Sequence, residues 1–314
     1  MTNSIASTYE DFLLASENAA ISAATVRGKG DGKLADKLAT DSLRTSLNRL
    51  NHQIRVVIGE GERDEAPMLY INELLGSATS NLNLDLAVDP LECTTNCAQN
   101  LPNSMCVMVI AKQDSLLSAP DTYMMKICGS SKLKGHLSIN YSTIKNLQIC
   151  CDKLNKKPEE LKIVVMDRER HLNIINDMRS FGVNPILITD GDVSAGIEAA
   201  EGKIDLLYGI GAAPEGVITA AAVKALNGFF LGKLVFQSDE FLDRSKKMLG
   251  EDIHKIWSEN ELCIGDDYFF IASGVCDGWI PGVKFSSVGV EVFSKVIFGN
   301  SKKIHLINNI YSNE

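Results

Sequence analysis

Apolar side chains recur at helical spacing from Ser7 to Leu50: Phe12 and Leu13, the run from Ala20 to Ala24, then Leu38, Leu43, Leu47 and Leu50. Gly30-Asp31-Gly32 interrupts the pattern, so two helices joined by a glycine turn are expected. Shorter apolar runs follow. Arg55 to Gly59 (RVVIG) reads as a strand, and Glu65 to Leu75 as a helix entered through Ala66-Pro67, with proline near its first turn. A strand leads into LAVDP (86 to 90) and another spans Cys106 to Ala111. Proline has no N–H to give a central strand, so the first of these is expected to end at Asp89, on the edge of a cleft.

The second half has a different rhythm. Strand-like segments at Ile163–Met166, Pro185–Thr189, Leu206–Tyr208 and Phe269–Gly274 alternate with helical ones at Asn173–Phe181, Val193–Ala200 and Ala220–Leu226. That alternation predicts an α/β fold of layered helices and sheet with parallel pairing. With no repeat or low-complexity linker, a boundary is placed in SSKLKGHLSI, giving lobes 1–134 and 135–314.

At 314 residues the chain is long enough for one large domain or two lobes. A net charge of −9, a pI near 5.2 and the lack of a Lys/Arg block argue against nucleic acid and for a small partner. Apolar runs such as Ile163-Val164-Val165-Met166 fall far short of the roughly 18 residues a membrane span needs. Met1 to Glu10 carries no basic start or apolar core of a secretory signal, so a cytoplasmic, membrane-free protein is expected. The eight cysteines show no framework spacing and read as reduced thiols. Cys93 and Cys97 lack the His or second Cys pair that zinc would require.

Acids collect where strands and turns end. VIGEGERDE (57 to 65) holds Glu60, Glu62, Asp64 and Glu65, and its glycines free the backbone to turn alternate acids inward. For Glu65 a helix-terminal role is preferred. Asp31 and Asp36 lie in GKGDGKLAD, Asp89 and Glu92 in VDPLECT, and Glu215 in YGIGAAPEGV. Two facing carboxylates repel unless one is protonated, a basic group pairs with them or a cation binds; an ordinary Asp-Pro turn is the plainer alternative. Taken together, the separate acids match the hard oxygen ligands of Mg²⁺ or Mn²⁺. VMDRERH (165 to 171) supplies Arg168 and Arg170, suited to phosphate oxygens or, structurally, to pairing with Asp167 and Glu169. In ITDGDV, Asp190 and Asp192 suit sugar hydroxyls or a helix cap. GIGAAPEG resembles a fragment of a dinucleotide fingerprint, but Pro214 breaks the spacing and no ribose acid follows, so it reads as a tight turn delivering Glu215.

These motifs, VVIGEGERDEAPMLYI, VDPLECT, APDTYMMK, VVMDRERH, DGDVSAGI and GIGAAPEGVITAAAV, stand in the order of the class II, GlpX-type fructose-1,6-bisphosphatases. The chain resembles that family, part of the lithium-sensitive metal-dependent phosphatase superfamily, over most of its length. Several motifs read closest to members that also hydrolyse sedoheptulose-1,7-bisphosphate. The resemblance implies a sugar-phosphatase fold with a metal site between an N-terminal metal-binding lobe and a C-terminal substrate-binding lobe. It implies metal-dependent hydrolysis of the 1-phosphate of fructose-1,6-bisphosphate, a place in gluconeogenesis, and a homo-oligomer, dimer or tetramer. By the same resemblance Asp36, Glu60, Asp89, Glu92 and Glu215 are the Mg²⁺ or Mn²⁺ ligands. Asp64 and Thr94 activate and orient water, and Tyr123, Arg168, Arg170, Asp190 and Asp192 hold the sugar bisphosphate.

The chain departs from the family at Cys93, where a glycine is usual. A cysteine there is expected to crowd the site or to adopt a strained φ, and with Cys97 to offer an oxidisable pair. Gly32 precedes Lys33 where the family carries lysine directly after Gly-Asp, and the chain is shorter before VDPLECT and near its C-terminus. An inositol-phosphate or nucleotide phosphatase on the same fold, or a non-catalytic metal-binding relative, are the competing readings.

Overall fold

The computed structural model describes residues 5–61, 68–77 and 82–312. The chain folds as two compact units, one made of Met1–Leu117 with Ile264–Glu314, the other of Ser118–Cys263.

In the first unit the helical spacing yields α1 (Tyr9–Ala24) and α2 (Gly32–Leu47). Asp31 caps α2, its Oδ1 accepting the Leu34 N–H at 2.9 Å. The unit's strands are β1 (Gln53–Ile58), β2 (Leu74–Gly76), β3 (Asn83–Glu92), β4 (Met105–Lys112), β11 (Tyr268–Gly274), β12 (Lys284–Phe285), β13 (Gly289–Phe298) and β14 (Ile304–Ser312). They form one sheet in the order β12-β13-β11-β4-β3-β1-β2, with β14 on β13. β1 and β3 are parallel and the other pairs antiparallel. α1 lies across β3, β4, β11 and β13, and its buried Ala19, Ala20 and Ala23 let it approach closely. Phe12, Leu43 and Leu47 are fully buried in that core, each contributing about 1.5–3 kcal/mol.

The second unit has a six-stranded sheet, order β10-β9-β5-β8-β6-β7. Its strands are β5 (Tyr123–Gly129), β6 (Ile163–Met166), β7 (Ile186–Ile188), β8 (Leu206–Ala212), β9 (Phe229–Val235) and β10 (Ile256–Ser258). β6 pairs in parallel with β7 and β8, as the alternation predicts, whereas β5 runs antiparallel to β8 and β9. Ile127 of β5 packs in a core with α4 (Thr143–Leu154) and α5 (Leu172–Phe181). Its neighbour Cys128 points the other way, to the Gly196 carbonyl of α6 (Asp192–Ala200), which packs on α7 (Ala213–Ala225). The sheet is thus layered between helices on both faces. α8 (Asp239–Leu249) follows β9.

Four expectations need correction. A single cut at 134/135 does not describe the chain, because β11 returns to pair with β4 from Tyr268↔Ala111 to Gly274↔Met105, and β5 belongs to the α/β unit. The described part of the expected helix at 65–75 is a turn and strand β2; Leu69 and Asn72 have φ of 54° and 68°, which no α-helix tolerates. β3 does not stop at Asp89 but runs through Pro90 to Glu92. Gly209 and Gly211 lie within β8, not in a turn, and Glu215 sits in the first turn of α7 after Pro214.

Candidate active site

At the end of β3, Asp89 pairs with Val107 and Glu92 with Met105, so four residues on β3 span three on β4. The extra residue is a β-bulge and accommodates Pro90, which could not have joined the ladder. It also resets the two-residue alternation. Val107 and Met105 share a face, so Asp89 and Glu92 share it too, while Val88 and Leu91 enter the core. Asp89 Oδ1 accepts the Leu91 N–H at 2.9 Å, satisfying a donor that the bulge frees.

Glu92 is buried, and the Cys93 thiol lies 3.7 Å from its Oε1. Cys93 has φ 62° and ψ 51°, the left-handed conformation that turns β3 into the short helix α3 (Thr94–Gln99). The strain expected of a side chain at this position is therefore present. The Cys97 thiol meets the Cys276 thiol, and that hydrogen bond lowers its pKa while raising that of Cys276.

Thr94 donates its hydroxyl to the Leu91 carbonyl at 2.9 Å, which leaves Oγ1 as an acceptor. The start of α2 is tied to this corner: Gly28 and Gly30 donate to the carbonyls of Cys97 and Ala98, and a Cβ on Gly32 would come within 3.0 Å of Thr94 Cγ2. Asp36 follows one turn later, half-buried, its carboxyl pushed above the usual range by desolvation. Glu60 leaves β1 through Gly59, where a Cβ would fall 2.0 Å from the Leu69 carbonyl, so only glycine fits. Asp64 lies outside the described residues. Asp36, Glu60, Asp89 and Glu92 are all hard oxygen donors, and a desolvated carboxylate such as Asp36 is the kind of group a divalent cation stabilises.

The second unit gathers a different chemistry at the carboxyl ends of its three parallel strands, where open α/β sheets bind ligands. Arg168 and Arg170 follow β6, Asp190 follows β7, and Gly211 and Glu215 lie at the end of β8. Tyr123, which opens the antiparallel β5, pairs with Ala212 at the same edge. Among the described residues neither arginine bridges to Asp167 or Glu169. Arg170 donates Nε to the Ile210 carbonyl at 3.0 Å and lays its guanidinium over the Tyr123 ring, 4.5 Å from the centroid. Arg168 is exposed. Burial raises the Asp190 carboxyl, with the charge of Asp192 adding to the effect and Gly191 N–H and Arg168 opposing it.

Two buried groups stand here beyond the residues expected from the sequence. Lys126 Nζ lies 2.7 Å from Asp192 Oδ2, and its side chain is 1% exposed. Its signal was a lysine inside the apolar strand YMMKICG, since lysine is almost never buried unpaired. His171, also buried, accepts the Ile210 N–H on Nε2 at 2.7 Å, and burial lowers its pKa, with the Arg170 charge adding to the shift.

Residues 7–311 match the family described as bacterial fructose-1,6-bisphosphatase, glpX-encoded. A D-fructose 1,6-bisphosphatase class 2/sedoheptulose 1,7-bisphosphatase of Synechococcus sp. (strain JA-2-3B'a(2-13)) is 40% identical over 94% of this chain and 92% of its own. Proteins of the same name from Trichodesmium erythraeum and Synechocystis sp. are 39% and 38% identical, over 94% and 95% of this chain and 93% and 94% of theirs. Among solved structures, an extragenic suppressor from Pyrococcus furiosus overlaps 64% of this chain and 69% of its own at 16% identity and a TM-score of 0.30, too low to carry over a fold. The matched span and the identity over nearly the whole chain place it in the bacterial, glpX-encoded fructose-1,6-bisphosphatase family.

Proposed function

We propose that the chain hydrolyses the 1-phosphate of fructose-1,6-bisphosphate to fructose-6-phosphate and phosphate, and accepts sedoheptulose-1,7-bisphosphate as a second substrate. The observation that carries this reading beyond family membership lies on β8. Ile210 anchors an arginine stacked on Tyr123, and the adjacent Gly211 lies under Asp192, so a phosphate-binding fork and a hydroxyl acceptor share one strand end. A sugar carrying a second, uncleaved phosphate needs both.

Asp36, Glu60, Asp89, Glu92 and Glu215 would hold Mg²⁺ or Mn²⁺, whose charge, when bound, polarises the scissile phosphate and acidifies a water. Thr94 Oγ1, its own proton committed to Leu91, accepts from the attacking water, and Asp64 takes the water's proton. Tyr123, Arg168 and Arg170 hold the remaining phosphate, and Asp190 and Asp192 accept from sugar hydroxyls. As the water attacks, the bond from phosphorus to the C1 oxygen breaks and that oxygen leaves as an alkoxide that takes a proton from solvent, so no residue need become phosphorylated.

The enzyme acts as a cytoplasmic homo-oligomer, dimer or tetramer, on a small substrate. Among the described residues no helix is long and apolar enough to cross a membrane, and the net charge of −9 is unsuited to nucleic acid. Phosphate release from the two bisphosphates and from inositol-1-phosphate, with Mg²⁺ and with Mn²⁺, tests the reading. A kcat/KM at least about tenfold higher for the bisphosphates supports it; a preference for inositol-1-phosphate overturns it.

A further inference from the structure

The Lys126–Asp192 pair is costly to bury, because both ions give up water, and an apolar pair of like volume would serve stability as well or better. Its surroundings show what it does. Lys126 stands opposite Gly209 on β8 and Gly232 on β9, so neither neighbouring strand lays a side chain beside it. A Cβ on Gly211 would fall 2.0 Å from Asp192 Oδ2 and 3.0 Å from Lys126 Nζ. The ammonium and the carboxylate therefore meet directly over bare backbone.

The pair is buried unequally. The lysine side chain is 1% exposed and the aspartate 11%, so what remains accessible belongs to the aspartate side chain. Among the described residues Asp192 receives its one side-chain hydrogen bond on Oδ2, from Lys126, and none reaches Oδ1. Asp192 is the first residue of α6, entered through Gly191 at φ 101°, so its main chain is fixed as well.

We infer that Lys126 is a positioning residue for substrate: it takes Asp192 Oδ2, balances its charge and turns Oδ1 outward to accept a hydroxyl of the sugar. This rests on the sugar-bisphosphatase reading and adds to it a specificity device. A carboxylate held in this way favours a polyol and leaves a phosphate ester lacking that hydroxyl without a partner. Lys126 acts only through Asp192.

The test is a double-mutant cycle of Lys126→Met, Asp192→Asn and the double variant, read as KM and kcat for fructose-1,6-bisphosphate. It is read in parallel as Kd for fructose-6-phosphate by titration calorimetry. Lys126→Met is expected to raise KM and Kd about tenfold, with kcat changed less than about threefold. In the Asp192→Asn background the same substitution should change them less than about twofold. Effects that multiply in the double variant, or a Lys126→Met protein with lowered Tm and unchanged KM and Kd, overturn the inference. Should Lys126→Met fail to fold, Lys126→Gln, which keeps a donor to Oδ2 but not the charge, enters the same cycle: KM and Kd are expected to rise about threefold and that rise to vanish in the Asp192→Asn background, and effects that multiply or an unchanged KM and Kd overturn the inference. A wild type that binds fructose-6-phosphate without hydrolysing the bisphosphate would overturn the functional reading and leave the Kd cycle to decide on Lys126. A wild type that does not bind fructose-6-phosphate overturns both.

Discussion

Asp89 and Glu92 share one face of β3 although they stand three positions apart, because a bulge at Pro90 and Leu91 resets the strand's alternation. The proline expected to end the strand is what brings two acids to one side.

Asp89→Ala is accordingly expected to lower metal-dependent turnover by about 100-fold or more. Losing the Asp89–Leu91 hydrogen bond costs about 1 kcal/mol, offset by relief of carboxylate repulsion, so Tm in EDTA should stay within a few degrees of wild type. Steady-state kinetics and thermal melting check both parts. Retained turnover would remove Asp89 from the ligand set.

Cys93 holds a left-handed backbone at φ 62°, which costs a residue with a Cβ about 1–2 kcal/mol. Cys93→Gly should raise stability by about 1 kcal/mol after the lost thiol packing is counted. Cys93→Ala, which keeps the Cβ, should be no more stable than wild type. Urea unfolding of the three proteins separates them; equal gains for Gly and Ala would point to thiol crowding instead.

Arg170 is fixed by the Ile210 carbonyl and the Tyr123 ring before substrate arrives. Arg170→Ala should raise KM for fructose-1,6-bisphosphate about tenfold and move kcat much less. Arg170→Lys should recover only part, since a point charge replaces a planar fork. An unchanged KM for both bisphosphates would make the arginine structural.

Burial lowers the His171 pKa below 6.5, and its Nε2 must stay unprotonated to accept from Ile210. A group depressed in the folded state adds stability above its unfolded value, lost as pH falls through the folded one. Unfolding free energy should thus decline from pH ~6.5 downward, with a slope of at most about 1.4 kcal/mol per pH unit from this group. His171→Phe should be less stable at neutral pH by about 1–3 kcal/mol for the orphaned Ile210 N–H, and should lose that part of the slope. Identical slopes in the two proteins would contradict the assignment.

Much of this was legible in the sequence where local rules decide. The apolar spacing of α1 and α2 and the parallel β6, β7 and β8 follow from periodicity, and Asp31 behaves as an ordinary helix cap. What was not legible depends on distant partners. Pro90 reads as a terminator until Val107 and Met105 show the bulge, and β11 reads as part of the second lobe until it pairs with β4. Lys126 stands out as a lysine in an apolar strand, but its partner shows only when Asp192, 66 residues away, closes on it over Gly211. The glycines of GIGAAPEG suggested a turn, whereas they clear a strand for buried charges.

Phosphorus NMR of fructose-1,6-bisphosphate incubated with the protein shows whether one particular phosphate is removed and whether a metal is needed. With Mg²⁺ or Mn²⁺ present, the 1-phosphate resonance should disappear while inorganic phosphate and fructose-6-phosphate grow in equal amounts, and EDTA should stop the reaction. Formation of fructose-1-phosphate, turnover that survives EDTA, or an unchanged spectrum with either metal would rule out this reaction.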